Sequence, residues 1–171
     1  MKKFVVAIAA VALTGAGTLV ATATGASAGR PHVPTVLESE VLVGVSGNFV
    51  GAANAVRGVP GGGRAWSIAS GSVELKANGK LEVSVTGLVL TSTGTNPIAN
   101  FKATVSCLTT DPAGTGTPTV NVSTDPFPAT ATGNATFEGK VALPSPCVAP
   151  IVFVANGTVG GNGAWFAATG V

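Results

Sequence analysis

Residue types able to do chemistry are scarce in this chain. It has two cysteines, Cys107 and Cys147, one histidine, His32, and seven carboxylates. A redox-active thiol pair calls for Cys-x-x-Cys spacing and a helix N-terminus to lower one pKa, and neither is present. One histidine and two cysteines cannot fill the four positions of a zinc site. The remaining reading for thiols in an exported chain is a structural disulfide, Cys107–Cys147. Closing a loop of about forty residues stabilises by roughly 4 kcal/mol on the chain-entropy model. His32 lies between Pro31 and Pro34, ahead of the first credible strand, where nothing holds an imidazole for Ser-His-Asp or Cys-His work. No catalytic residue, no metal ligand and no cofactor is assigned.

The carboxylates could supply the two groups of a glycosidase. Glu74, Glu82 and Glu138 alternate with apolar neighbours, so each reads as the wet face of a strand. Asp111 and Asp125 each precede a proline and read as turn initiators. A hydrolase therefore ranks last among the functional classes considered. One pair invites a binding reading. Arg64 and Trp66 follow the triple glycine Gly61–Gly63, where a loose backbone could present a guanidinium beside an aromatic plane, as a sugar ring requires. The competing view places the Trp66 indole in the core and leaves Arg64 in solvent.

These side chains must be positioned by strands, because no window shows a helical apolar repeat. Val73 and Leu75 alternate with Glu74 and Lys76, and beyond Asn78-Gly79 Leu81, Val83 and Val85 alternate with Glu82 and Ser84. Two period-2 runs joined at Asn-Gly predict a hairpin with a tight primed turn, positive φ at both central residues, and one wet face. Phe101, Ala103, Val105 and Cys107 alternate with Lys102, Thr104 and Ser106, predicting a half-buried strand. Shorter runs at 120–122, 135–143, 151–154 and 164–168 are separated by glycine- and proline-rich turns, and residues 51–64 read as a loop or irregular crossing strand. The expected fold is all-β, an antiparallel sandwich of Greek-key or jelly-roll type with one disulfide. A small β-barrel is the alternative.

The N-terminus sets the compartment. Met1-Lys2-Lys3, an apolar run from Phe4 to Leu13, and Ala26-Ser27-Ala28 are the three parts of a signal peptide. The expected organisation is signal peptide 1–28, extended leader 29–38 and a single sandwich domain 39–171. Loss of Lys2 and Lys3 leaves seven basic against seven acidic residues, so the exported chain is neutral. Nucleic acid, which needs a cationic footprint, is excluded as a partner, and no second apolar run is long enough to span a membrane.

The segments Val59-Pro60-Gly61-Gly62-Gly63-Arg64-Ala65-Trp66, Gly94–Phe101, Asn121–Ala129 and Ala164–Gly170 resemble those of small exported bacterial proteins, often actinobacterial, to which no activity is attached. The resemblance spans most of the exported chain and implies no site residue. The sequence thus points to a monomeric, secreted or envelope-associated, non-enzymatic module that binds an extracellular glycan or protein. The runner-up is a structural surface or coat component that self-associates through apolar strand edges.

Overall fold

The computed structural model describes residues 32–170. The segment expected as a signal peptide, the first residues of the expected leader and Val171 lie outside the described residues. Twelve strands and a single 3₁₀ turn, Gly47–Phe49, make up the regular structure among them.

One sheet has the order β1-β4-β5-β10, with β1 Thr35–Ser39, β4 Ser70–Lys76, β5 Lys80–Thr86 and β10 Ala135–Lys140. The other runs β2-β12-β11-β7-β8. Its strands are β2 Val43–Gly44, β7 Asn100–Leu108, β8 Thr119–Ser123, β11 Val148–Asn156 and β12 Trp165–Ala168, and the short β9 Phe127–Pro128 also pairs with β7. A ribbon of β3 Trp66–Ser67 and β6 Val89–Leu90 completes the set. All strand pairings are antiparallel, and both sheets have free edges, so the fold is a sandwich and not a closed barrel. Val73, Leu75, Leu81, Val83 and Val85 of the first sheet are buried, as are Phe101, Ala103, Val105, Val152 and Val154 of the second. Burial of two such alternating faces is what drives sheet-on-sheet packing.

The β4–β5 hairpin forms where its alternation predicts, but its turn differs. Ala77, Asn78 and Gly79 make a three-residue loop in which Gly79 N–H donates to Lys76 O at 2.9 Å. Gly79 takes φ +83°, whereas Asn78 does not have positive φ. This is the type I turn followed by a left-handed glycine, and not the two-residue primed turn.

The segment expected as a leader also contributes to the fold. Thr35–Ser39 pairs with β4, and Val36 and Leu37 pack against the core. Without β1, the outer edge of β4 would be left unpaired. A bulge between Thr35 and Leu37 hides the period-2 signal.

β7 departs from its half-buried prediction. Lys102 is 5% exposed and Thr104 and Ser106 are 0%, so both faces are covered. Two loops provide the cover. In the loop between β11 and β12, Val159 O and Gly161 O accept hydrogen bonds from Lys102 Nζ, both at 2.7 Å, and Asn162 O accepts one from Thr104 Oγ1 at 2.9 Å. In the 51–64 loop, Arg57 Nη1 donates to Ala149 O at 2.7 Å and to Ser106 O at 3.2 Å, while Asn121 Nδ2 donates to Arg57 O. Beneath this cover Trp165 packs on Phe153 and Phe49, with ring centroids 5.8 and 6.2 Å apart. β12 carries one extra residue, Phe166, between the Ala155–Trp165 and Val154–Ala167 pairs. That bulge turns Phe166 into the inter-sheet core while Trp165 faces out under the loop.

Cys107 and Cys147 are joined, with their Cα atoms 5.0 Å apart. The bond staples β7 to the proline-rich segment that leads into β11.

Candidate binding face

The outer face of the first sheet stands open, and its register gathers charge. Glu38 pairs with Glu74, Glu74 with Glu82, and Glu82 with Glu138. Four glutamates therefore form one transverse row, one from each strand. Directly opposed like charges in a sheet repel one another, and lysine contacts are set against that repulsion in this row. Lys80 Nζ bridges Glu82 at 2.7 Å and Glu138 at 3.0 Å. Lys76 Nζ lies 3.3 Å from Glu74, which also accepts from Thr35 Oγ1 at 3.1 Å. Among the described residues, Glu38 and Glu40 have no cationic partner.

The lysines occupy the turn side of the row, with Lys140 opposite Lys80. On the other side lies a row of hydroxyls, Ser72 opposite Ser84 and Ser84 opposite Thr136. Glu38, Glu40, the acid row and these hydroxyls line an open trough of ≈ 500 Å³. Five of the chain's seven carboxylates thus share one surface. The hydrogen bond from Lys80 holds the Glu82 carboxyl below the usual carboxylate value, and the Lys80 charge adds to it. In return the Lys80 ammonium is raised above its ordinary value, chiefly by its bonds to Glu82 and then Glu138.

Arg64 and Trp66 line one shallow hollow together with Phe166, but little of the Trp66 side chain is offered there. Trp66 is 4% exposed, and its ring lies on Phe166 with centroids 4.0 Å apart and planes 20° from parallel. One face of the indole is therefore taken. Arg64 is exposed beside it, on the rim of the hollow, which Pro97 and Leu90 also line. The triple glycine is not a loose presenter either. A Cβ on Gly61 would collide with Phe49 O, and one on Gly62 would sit 3.1 Å from the Phe166 ring and 3.2 Å from Trp66 Nε1. Those two glycines permit close packing, and only Gly63 faces open space.

His32 is exposed, three residues ahead of β1, and Asp111 and Asp125 sit in loops. Asp111 is held below its ordinary value by the Thr115 hydroxyl and then by the Ala113 N–H, as a turn-forming aspartate is. Among the described residues no group of three or more histidine, cysteine or acidic side chains has metal-binding geometry, and no helix is long and apolar enough to cross a membrane. The sequence showed Glu74, Glu82 and Glu138 as wet-face residues, but not that they align with one another and with Glu38. Compared with known proteins, the chain matches no family model, no curated protein and no solved structure.

Proposed function

We propose that the chain is an exported, non-enzymatic binding module whose ligand is a lysine- or arginine-rich segment of a protein partner, held on the acid row of the first sheet. The observation that supports this reading is the alignment Glu38–Glu74–Glu82–Glu138, with Glu40 beside it. Like charges held opposite one another are offset when a cationic ligand sits on them. The trough is open and polar, which suits an extended segment better than a small apolar molecule. The Cys107–Cys147 bridge fits an oxidising compartment. A glycosidase acid needs a raised pKa, and the shift at Glu82 runs the other way.

A titration with a lysine-rich peptide tests the proposal, run at low and high salt beside a neutral oligosaccharide. Binding should weaken steeply with salt. The E74Q/E82Q/E138Q variant should lose about tenfold or more in affinity, the sum of several exposed pairs. Oligosaccharide binding that ignores salt would replace this reading with glycan recognition through the hydroxyl row. Self-association has an observation of its own, since Val41, Val43 and Phe49 are 66%, 46% and 43% exposed. Concentration-dependent scattering, unchanged by the triple variant, would favour it.

A further inference from the structure

The chain contains three Asn-Gly pairs, Asn78-Gly79, Asn156-Gly157 and Asn162-Gly163. Such pairs are open to an intramolecular reaction, because glycine places no side chain against the attack of its own amide nitrogen. The glycine nitrogen loses its proton and bonds to the asparagine side-chain carbonyl carbon. The C–N bond of the carboxamide breaks and ammonia leaves, giving a succinimide. Water then opens the ring at either carbonyl, producing an aspartyl or an isoaspartyl link. No oxidant or enzyme is required, only water and a base from solvent.

The fold treats the three pairs differently. Gly79 N–H is committed to Lys76 O at 2.9 Å, and Asn78 Oδ1 accepts from Lys80 N at 3.0 Å. Gly157 N–H is committed to Asn100 O at 3.0 Å, and Asn156 Oδ1 accepts from both Thr158 N and Thr158 Oγ1, at 2.9 and 2.6 Å. Both the nucleophile and the electrophile are thereby restrained. At the third pair, among the described residues, neither Gly163 N–H nor the Asn162 side chain has a hydrogen-bond partner. A cation also stands close by. A Cβ on Gly163 would lie 3.2 Å from Lys102 Cε, and the Lys102 ammonium already holds Val159 O and Gly161 O. A fixed positive charge there favours the amide anion and the oxyanion that follows it.

We propose that Asn162-Gly163 is the chain's site of spontaneous deamidation and isoaspartyl formation. The product alters the cover over β7. An isoaspartyl link inserts the β-carbon into the main chain at the residue whose carbonyl accepts from Thr104 Oγ1 at 2.9 Å, so the loop cannot keep all three of its anchors in place. Loop amides should then exchange faster while the inter-sheet core keeps its protection.

Peptide mapping of the folded full chain during incubation at mildly alkaline pH tests this, with a parallel sample in denaturing urea. Position 162 should convert about tenfold or more faster than positions 78 and 156 in the folded sample, since those first need a hydrogen bond broken. In urea the three rates should converge, showing that the fold sets the order. The N162Q variant should lose the early acidic species seen by charge separation. Conversion of Asn78 or Asn156 in the folded protein as fast as Asn162 overturns the assignment. So does an N162Q protein that turns acidic at the rate of the unaltered chain.

Discussion

The two sheets share one core but treat their outer faces in opposite ways. The first leaves its outer face open and fills it with paired charge and hydroxyls. The second is roofed by the 51–64 loop and the β11–β12 loop, so that Lys102, Thr104 and Ser106 lie buried. The roof has a cost: Ser106 Oγ, Asn121 Oδ1 and Trp165 Nε1 are buried without a partner, where most buried polar atoms find one. It also gains a second apolar layer around Trp165, Phe153 and Phe49. The contrast separates the labour of the two sheets. A second buried layer lies under the roof, and exposed charge lies on the open face.

Substitutions under the roof or in the shared core should give the largest effects. Trp165→Ala and Trp66→Ala should each lower unfolding free energy by about 3–5 kcal/mol, the usual cost of emptying a large aromatic site, as read by chemical denaturation. Arg64→Ala, on an exposed loop, should leave the midpoint where it was. If Trp66→Ala were tolerated while Arg64→Ala unfolded the protein, the roles given to these two residues would be reversed. A step smaller is Lys102→Met, which keeps an unbranched apolar stem but removes the donor from two carbonyls. The expected loss is about 1–3 kcal/mol, with faster hydrogen exchange confined to residues 157–164. Unchanged exchange there would show that the loop does not depend on its lysine.

Local pattern explains how much of this was legible. The hairpin alternation and the β7 and β12 runs are each contained in a short window, and the strands follow them; the cysteines, 40 residues apart, could be paired because the chain has no others. Register across the hairpin depended on its turn. A two-residue turn at Asn78-Gly79 would set Glu74 opposite Val83, whereas the observed three-residue loop sets it opposite Glu82. A slip of one residue exchanges the faces. The predicted wet face, with Glu74, Lys76 and Glu82 together, already required the longer loop. The rest of the row depends on β10 and β1 choosing their neighbours, a non-local matter that no window contains. Burial of Lys102 was hidden for the same reason, since period-2 polarity cannot reveal a loop that folds over the polar side.

On the open face the expected changes are smaller, and for Glu74→Gln stability should not fall at all. The substitution gives up the contact with Lys76 at 3.3 Å. It also removes a charge that stands between Glu38 and Glu82 in the row. Relief from two like-charged neighbours should match or exceed the lost pair. A clear drop in melting temperature would mean that the row is held together by its lysines and carries no net repulsion.

The smallest effect expected is the pH dependence carried by Glu82. Its carboxyl titrates below the ordinary carboxylate value in the folded chain, because the ionised form accepts a hydrogen bond from Lys80. In the unfolded chain the same group should titrate near the ordinary glutamate value, about 4.3. The unfolded state therefore binds this proton first as pH falls, and linkage makes stability decline in that interval. The contribution is fully present above about pH 5 and is lost as pH drops through the folded value. Because Glu82 and Lys80 are open to solvent, screening by water and salt keeps the effect slight. Denaturation midpoints at successive pH values from neutral to strongly acidic, for the unaltered chain and Glu82→Gln, isolate it. The two curves should draw together on acidification, as the carboxyl that the variant lacks becomes protonated. Curves that stay parallel down to the lowest pH would place the Lys80–Glu82 contact outside the folding equilibrium and leave the acid row with no stabilising member.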